Sequence, residues 1–168
     1  AKLDSSGNWL WAKQAGGTIH DIGYSIVIDS SGNSYVTGCF SGTASFGNIT
    51  LESSGQYDIF VAKLNSSGNW LCAKQAGGTD YDIGYGIAID SSGNSYVTGL
   101  FSGTASFRNI TLESSGQYDI FVAKLDIRGN WLWAKQAGGT SYDWGISIAT
   151  DSSGNSYVTG LFSGTASF

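Results

Sequence analysis

The chain of 168 residues carries 8 basic and 13 acidic side chains, giving a net charge of -5, and 41% of its residues are apolar. This apolar content can fill a folded core, which argues against disorder, and the shortage of Lys and Arg argues against binding to the phosphate backbone of nucleic acid. The apolar runs are a few residues long, whereas a helix that spans a bilayer needs roughly 20, so no membrane span is predicted.

One sequence repeats along the whole chain with a period of 61 residues. The triplet Ala-Lys-Leu at residues 1–3 recurs at 62–64 and 123–125, which gives two full copies and a third copy of 46 residues. The first two copies differ at 8 of 61 positions. A repeat of this length is typical of propellers, solenoids and arrays. Because residue 1 falls inside a repeat, we expect the natural protein to extend beyond both ends.

Four short segments of each copy are predicted to be β-strands. We name them strands A, B, C and D, at residues 24–29, 34–41, 58–64 and 70–77 of the first copy. They are rich in β-branched and aromatic residues and lack the apolar spacing of a helical face. A cassette Asp/Asn-x-x-Gly-Asn separates A from B and C from D, as expected for a tight hairpin that needs glycine in a left-handed conformation.

Four antiparallel strands joined by hairpins form a meander, so the sequence predicts an all-β fold of propeller blades in tandem. The expected plan is a partial blade at residues 1–16, blades at 23–77 and 84–138, and a partial blade at 145–168. In strand C, Ile59 and Val61 alternate with Phe60 and Ala62, so both faces are expected to be buried between stacked blades. The tryptophan that opens strand D is predicted to pack between blades (Trp9, Trp70 and Trp131).

Three linked motifs give a resemblance to a known family. They are Ser-Ile-Ala-x-Asp-x-x-Gly-Asn-x-Tyr-Val-Thr-Gly at residues 147–160, Asp-Ile-Phe-Val-Ala-Lys-Leu at 58–64 and Gly-Asn-Trp-Leu-Trp-Ala-Lys at 129–135. Together they resemble the bacterial beta-propeller repeat called SBBP, with Thr150 in place of an apolar residue. The resemblance implies a secreted or cell-surface bacterial protein, often large, and supplies no catalytic residues. The chain departs from the family in its near-identical copies and in its long segment between strands B and C, residues 42–57, which has room for an extra hairpin.

The loop between strands D and A is the candidate binding site. It reads Gly-Gly-Thr-x-x-Asp at residues 16–21, 77–82 and 138–143, and the two variable positions differ most between copies. The Asp could accept hydrogen bonds from loop N–H groups, help to hold a glycan or peptide beside the tyrosine, or donate oxygen to calcium. The candidate ligand-binding residues are Thr18, Asp21, Thr79, Tyr81, Asp82, Thr140, Tyr142 and Asp143.

No catalytic centre, cofactor or metal site is predicted. His20 is the single histidine and is replaced by tyrosine in the other copies, so no nucleophile and base can be assembled around it. Arg108 and Arg128 are too few for the arginine cluster of a sialidase-like propeller. One His and two Cys offer no transition-metal ligand set, and calcium at the loop aspartates is a minor alternative. We therefore expect a protein that is not an enzyme.

The two cysteines are predicted to be free thiols. Cys39 lies in strand B and Cys72 in strand D, with strand C between them. Two strand spacings separate their backbones by about 9 to 10 Å, whereas a disulfide needs Cα atoms within about 7 Å.

The leading function hypothesis is an extracellular or cell-surface structural and adhesive module that assembles by blade completion. Residues 1–16 supply the end of strand C and all of strand D, and residues 145–168 supply strands A and B. Closing them within one chain would give three blades, below the usual range of about 4 to 8. The expected partner is therefore another copy, or a successive segment of one longer chain, in a ring or a filament. The alternative is a lectin-like propeller with weak glycan or peptide sites in the loops between strands D and A.

Overall fold

The structure, a computed structural model that describes residues 1–168, contains sixteen β-strands and no helix, and hence none that could cross a membrane. In chain order the strands are β1 (Lys2–Leu3), β2 (Trp9–Trp11), β3 (Asp21–Ile28), β4 (Ser34–Phe40), β5 (Thr43–Phe46), β6 (Ile49–Glu52), β7 (Asp58–Leu64), β8 (Trp70–Ala76), β9 (Ile83–Ile89), β10 (Ser95–Phe101), β11 (Thr104–Phe107), β12 (Ile110–Glu113), β13 (Asp119–Leu125), β14 (Trp131–Ala137), β15 (Trp144–Thr150) and β16 (Ser156–Leu161).

Two four-stranded antiparallel sheets form the complete blades. Blade 1 has the order β3-β4-β7-β8, and blade 2 has the order β9-β10-β13-β14. Each follows chain order, so the all-β meander of strands A to D is confirmed. The pair β15-β16 supplies strands A and B of a third, partial blade, and β1-β2 corresponds to the end of strand C and to strand D. Strand A begins at Asp21, three residues before its predicted start, because a β-bulge between Gly23 and Ser25 continues it through the glycine.

The hairpin between strands A and B is fixed by its aspartate. Oδ1 of Asp29 accepts the N–H groups of Ser31 and Asn33 at 2.9 and 2.8 Å. Gly32 has a φ of 78°, the left-handed conformation that glycine adopts without steric cost. The same N–H contacts recur around five further side chains (Asp4, Asn65, Asp90, Asp126 and Asp151). The predicted turn cassettes are therefore hairpins.

An extra hairpin does lie between strands B and C of each complete repeat: β5-β6 in the first and β11-β12 in the second. It covers strand D, where Phe46 meets Trp70 edge to face at 5.2 Å and Phe107 meets Trp131 at 5.0 Å between ring centroids. The indole Nε1 of Trp131 also donates to the carbonyl of Gln75 in blade 1, at 3.2 Å. Trp131 thus packs on the hairpin of its own blade as well as between blades, whereas Trp9 is 70% exposed, contrary to the prediction.

The blades pack face to face through strand A. β9 of blade 2 lies against β3 and β4 of blade 1, and β15 lies against β9 and β10. Ile59 and Val61 enter the 14-residue core cluster between blades 1 and 2, whereas Phe60 and Ala62 enter a cluster on the opposite face of blade 1. The alternation predicted for strand C is confirmed. We call the face of Phe60 the front face of a blade and the face of Ile59 the back face.

Two side-chain hydrogen bonds join blade 2 to the partial third blade. The Thr150 hydroxyl of β15 donates to the carbonyl of Ile89 in β9, 61 residues earlier, at 2.8 Å. The Tyr96 hydroxyl of blade 2 donates to the carbonyl of Gly154, in the β15-β16 turn, at 3.1 Å. Blade 2 and the partial third blade are therefore joined through backbone carbonyls as well as through apolar contacts.

Both cysteines are free, and the register of the sheet explains why. Cys39 lies opposite Ile59 and Cys72 lies opposite Lys63, on either side of β7. Four residues along a strand add about 13 Å to the two strand spacings, so the predicted separation of 9 to 10 Å was too short. Burial raises the pKa of Cys39 to about 11, which disfavours its thiolate.

Candidate functional site

The loop between strands D and A lies at the junction of two blades. We call residues 16–21, 77–82 and 138–143 the junction loops. In the second, Gly77 exchanges backbone hydrogen bonds with Ser106 of β11, at 3.1 and 2.8 Å. The N–H of Asp82 donates to the carbonyl of Tyr57 at 2.9 Å. The second junction loop is therefore held by the hairpin β11-β12 of blade 2 and by the segment that precedes strand C of blade 1.

The aspartate of each junction loop is used to hold the loop backbone. Oδ2 accepts an N–H at 2.7 Å in all three, from Gly17 to Asp21, from Gly78 to Asp82 and from Gly139 to Asp143. Asp82 and Asp143 are fully buried, so their carboxylates lie beneath the surface that a glycan or peptide could reach. Thr18, Thr79 and Thr140 are exposed at the same junctions.

A second buried aspartate lies beside the first, and no motif in the sequence pointed to it. Asp58 opens strand C of blade 1, and a Cβ on Gly77 would lie 2.8 Å from Cγ of Asp58 and 2.9 Å from Oδ2 of Asp82. Only glycine fits between the two carboxyl groups. Asp119, Asp143 and Gly138 repeat the arrangement at the next junction.

The carboxyl pair is short of hydrogen-bond donors and has no cation beside it. Burial raises the pKa of Asp58 to about 6. Burial also raises the pKa of Asp82 to about 7, opposed by the N–H of Gly78 and reinforced by the charge of Asp58. One oxygen of each carboxyl group, Oδ1, is buried without a partner. No group of three or more His, Cys, Asp or Glu side chains lies close enough together to hold a metal ion. The pair can hold a proton between the blades.

Tyrosines form the exposed part of the junctions, and we call Tyr24, Tyr57, Tyr81, Tyr85, Tyr118 and Tyr142 the tyrosine surface. Tyr57 stacks on Tyr81 with ring centroids 5.5 Å apart, and Tyr118 lies 5.7 Å from Tyr142 in the same way. The Tyr57 hydroxyl lies 3.1 Å from Nδ1 of His20. Tyr142 is 43% exposed. The sequence pointed to Tyr81 and Tyr142 and missed Tyr57 and Tyr118, although Gln-Tyr-Asp before each strand C was a visible signal.

The partial third blade has an open edge. β16 pairs with β15 on one side and with no strand on the other, whereas β10 pairs on both sides. Tyr157 is 61% exposed in β16, and its counterpart Tyr96 is 1% exposed in β10. A groove of about 540 Å³ lies between the back face of blade 2 and β16, and we call it the acceptor groove. Its lining includes Ile120, Val122 and Phe162.

Two curated relatives share sequence with the chain. The uncharacterized WD repeat-containing protein L264 of Acanthamoeba polyphaga mimivirus is 27% identical over 198 aligned residues, which cover 96% of this chain and 14% of that protein. The regulatory protein FlaEY of Caulobacter vibrioides is 30% identical over 110 residues, covering 63% of this chain and 12% of that protein. The chain therefore spans a small part of the length of these relatives.

A beta-propeller repeat family matches the chain three times, over residues 10–38, 73–100 and 132–161. Each match runs from strand D through the junction loop to strand B of the following blade, so the junction loop lies within the sequence that the family model matches. These matches cover about half of the chain and follow the blades that the structure contains. The chain belongs to the SBBP beta-propeller repeat family.

Proposed function

We propose that the chain is an extracellular structural or adhesive repeat module of a large bacterial protein, and that its copies join by completing one another's blades. The open edge of β16 is the observation that carries the proposal. Residues 156–161 have the same sequence as residues 95–100, which lie in the middle of blade 2 and pair with strands on both sides. An unpaired strand edge presents backbone donors and acceptors to another strand.

The opposite end of the molecule offers a matching surface. Ile26, on strand A of blade 1, is 58% exposed, whereas its counterpart Ile87 is 6% exposed in blade 2, where blade 1 covers it. Trp9 and Leu10 of β2 are also exposed, at 70% and 55%. Another copy that covered these residues would bury apolar surface at about 25 cal/mol per Å². Low charge and Gly- and Ser-rich turns suit a module selected for mutual packing.

The experiment is the mass of the particle in solution, measured by size-exclusion chromatography with light scattering. The intact chain is expected to form dimers or longer assemblies at micromolar concentration. Ile26→Lys places a charge on the exposed front face of blade 1 and is expected to shift the population to monomers. Thr18→Lys, an equal change of charge in an exposed loop, is the matched control. A wild-type chain that is monomeric and well folded would refute assembly by blade completion.

A lectin-like binding module is the second candidate function, and the tyrosine surface favours it. Paired tyrosine rings combine an apolar face with hydroxyl groups that can form hydrogen bonds, which suits neutral sugars. On a glycan array, the wild-type chain is expected to bind neutral glycans, and Tyr142→Ala, which breaks one of the two tyrosine pairs, is expected to weaken that binding. Tyr157→Ala removes an exposed tyrosine elsewhere and is the control. An array without signal would leave the structural module as the function.

A further inference from the structure

We infer that two pairs within the tyrosine surface, Tyr57 with Tyr81 and Tyr118 with Tyr142, are sites of oxidative coupling. A carbon–carbon bond between the two rings of a pair would join one blade covalently to the next. The co-reactant is hydrogen peroxide, used by a one-electron oxidant of the haem peroxidase class. The inference goes beyond the proposed function, because the bond forms within one chain and needs neither assembly between copies nor a glycan.

The backbone holds the two tyrosines of each pair side by side. Tyr57 and Tyr81 form a parallel β-bridge, and Tyr118 and Tyr142 form the same bridge one repeat later. The N–H of Tyr57 donates to the carbonyl of Asp80 at 3.2 Å. Residues that lie opposite each other across a bridge project their side chains to the same side. Each pair of rings therefore starts from adjacent positions that the backbone fixes.

The same bridge separates the tyrosine rings from the buried carboxyl groups next to them. In both segments an aspartate directly follows the tyrosine, and successive side chains of extended backbone point to opposite sides. Asp58 and Asp82 are 1% and 0% exposed. Tyr57 and Tyr81 are half-buried, and Tyr142 is 43% exposed. The tyrosine pairs therefore face solvent, where an oxidant can reach them.

A glycine brings the two segments of each pair close together. A Cβ on Gly55 would lie 2.2 Å from the carbonyl carbon of Thr79, and a Cβ on Gly116 would lie 2.4 Å from the carbonyl carbon of Thr140. Only glycine allows the backbones to approach so closely. The paired tyrosines follow two residues later in each segment, so backbone packing positions them. Two reacting groups that are held in this way couple far more readily than free ones.

The rings of both pairs are closer to parallel than to perpendicular. The centroids of Tyr57 and Tyr81 lie 5.5 Å apart with 30° between the ring planes, and those of the second pair lie 5.7 Å apart with 32°. In this arrangement small rotations of the side chains bring together the ring carbons next to the two hydroxyl groups. Tyr24 and Tyr85 instead meet edge to face, with 67° between the planes, and their strands β3 and β9 belong to different sheets.

The coupling step balances with hydrogen peroxide as the oxidant. Each phenol loses one electron and its hydroxyl proton and becomes a phenoxyl radical, whose unpaired electron is shared with the ring carbons ortho to the oxygen. Two such carbons, one from each ring, form the new carbon–carbon bond. Each of them then loses its hydrogen as a proton, and a proton returns to each oxygen. The pair loses two hydrogen atoms in all, and hydrogen peroxide takes up two electrons and two protons to become two water molecules.

The new bond would connect neighbouring blades. Tyr57 directly precedes β7 of blade 1, and Tyr81 lies two residues before β9 of blade 2. The second pair connects blade 2 to the partial third blade in the same way. Each bond closes a loop of chain that contains the hairpin of strands C and D, and so lowers the conformational entropy of the unfolded state. The coupled chain is therefore expected to unfold at a higher urea concentration.

The experiment treats the dilute chain with a haem peroxidase and hydrogen peroxide, and in parallel with a ruthenium photo-oxidant and persulfate. Tryptic mass spectrometry is expected to find residues 14–63 linked to 75–108, and residues 109–124 linked to 136–168, each pair lighter by two hydrogen atoms. Dityrosine fluorescence should appear at the same time. In the urea-unfolded chain these links are expected to fall by about tenfold or more, because the rings are no longer held together.

Three variants that keep every ring identify the reacting residues. Phenylalanine cannot form a phenoxyl radical, so Tyr57→Phe is expected to abolish the first link and leave the second, and Tyr142→Phe should do the reverse. Tyr85→Phe is the matched control, since Tyr85 lies in the same tryptic peptide as Tyr81, and it should leave the first link intact. After oxidation the urea midpoint is expected to rise for the wild-type chain and to stay unchanged for the double variant Tyr57→Phe/Tyr142→Phe.

Absence of both links with both oxidants would overturn the inference. A first link that persists in Tyr57→Phe and is lost in Tyr85→Phe would also overturn it, because the edge-to-face pair would then be the one that reacts. Cross-links found only between chains would have the same meaning. The mass of the oxidised chain under denaturing conditions distinguishes bonds within one chain from bonds between chains.

Discussion

Arg108 occupies a backbone conformation that glycine holds in the neighbouring repeat. It is the only residue other than glycine with a positive φ, 63°, and Gly47 has the same φ at the same hairpin position. An L-residue in the left-handed region costs about 1 to 2 kcal/mol because its Cβ approaches the following carbonyl. We expect Arg108→Gly to raise the free energy of unfolding by about 1 kcal/mol, as measured by urea denaturation.

Two further variants separate backbone strain from loss of the guanidinium group. Arg108→Ala keeps the Cβ and should give no comparable gain. Gly47→Arg introduces the strain into the first repeat and should lower stability by about 1 kcal/mol. A gain from Arg108→Ala equal to that from Arg108→Gly would assign the effect to the long side chain instead.

The buried carboxyl pairs make stability depend on pH. The pKa of Asp58 is about 6 and that of Asp82 about 7 in the folded chain, whereas an unfolded Asp titrates near pH 3.9. The folded protein thus keeps these protons at pH values where the unfolded chain has lost them. The contribution of the pair to stability is therefore greatest below about pH 4 and declines as pH rises through about 7.

We expect Asp58→Asn to remove part of this decline, since Asp82 stays buried and keeps a raised pKa. The amide cannot ionise, and its N–H can donate to the oxygen of Asp82 that has no partner. The free energy of unfolding at pH 8 should rise by about 1 to 2 kcal/mol, with little change at pH 4. Asp119→Asn, at the equivalent junction, should behave in the same way, and Asp4→Asn in an exposed turn is the control. An unaltered decline between pH 4 and pH 8 would contradict the role given to the pair.

At the residue scale the sequence predicted the turn aspartates but not the carboxyl pair. A cassette such as residues 29–33 is local, so its side-chain contacts follow from spacing alone. Asp58 and Asp82 lie in different blades, on either side of a strand D, and only the packing of the blades brings their carboxyl groups together. Nothing in the spacing distinguishes Asp58 from an exposed residue at the start of a strand.

At the scale of elements, the extra hairpin offers a comparison within one molecule. Phe46, Phe107 and Phe168 occupy the same position in three repeats, and they are 2%, 0% and 92% exposed. Phe107→Ala should lower the free energy of unfolding by about 3 to 5 kcal/mol, the usual loss for a buried aromatic side chain. Phe168→Ala should change it by less than about 0.5 kcal/mol, as for a surface substitution.

Denaturant unfolding of the three Phe→Ala variants measures this difference, with Phe46→Ala expected to resemble Phe107→Ala. The substitution is identical in each case, so differences in unfolded-state effects largely cancel. Equal losses at Phe107 and Phe168 would show that the hairpin does not stabilise strand D by covering it.

In the complete blades the sequence predicted strands B, C and D to within a residue, because glycine cassettes and a change in residue type mark their ends. In residues 1–16, β2 ends at Trp11 and is shorter than the predicted strand D. The start of strand A was less visible, since Gly23 resembled a loop residue and a β-bulge carries the strand through it. The hairpin β5-β6 turns at the dipeptide Gly47-Asn48, which differs from the cassette that identified the other turns. Its packing on Trp70 depends on tertiary structure that no local pattern contains.

At the scale of the whole molecule, stability is expected to decrease from the middle toward both ends. The 14-residue cluster joins blades 1 and 2, whereas a three-residue cluster joins blade 2 to the partial blade. Hydrogen exchange followed by NMR, which distinguishes identical segments, should find residues 95–100 protected and residues 156–161 open. The two segments have the same sequence, so their intrinsic exchange rates match. Equal protection would contradict the gradient.

The tandem arrangement of the blades could be predicted from the sequence. The exposure of equivalent side chains in different blades could not. The period of 61 residues defined the blades because each copy supplies the same four strands. The near identity of the copies, however, hid the differences in burial between Tyr96 and Tyr157, which share a sequence context and differ in their neighbours.

Strand β15 packs against β9, its counterpart 61 residues earlier, and this has a consequence for the gene. Recombination between two repeats removes or adds whole multiples of 61 codons, and each new boundary then joins a strand D to a strand A through the same junction loop. Every blade meets a neighbour of nearly the same sequence, whichever copies remain. A change in the number of repeats therefore requires no new interface between blades.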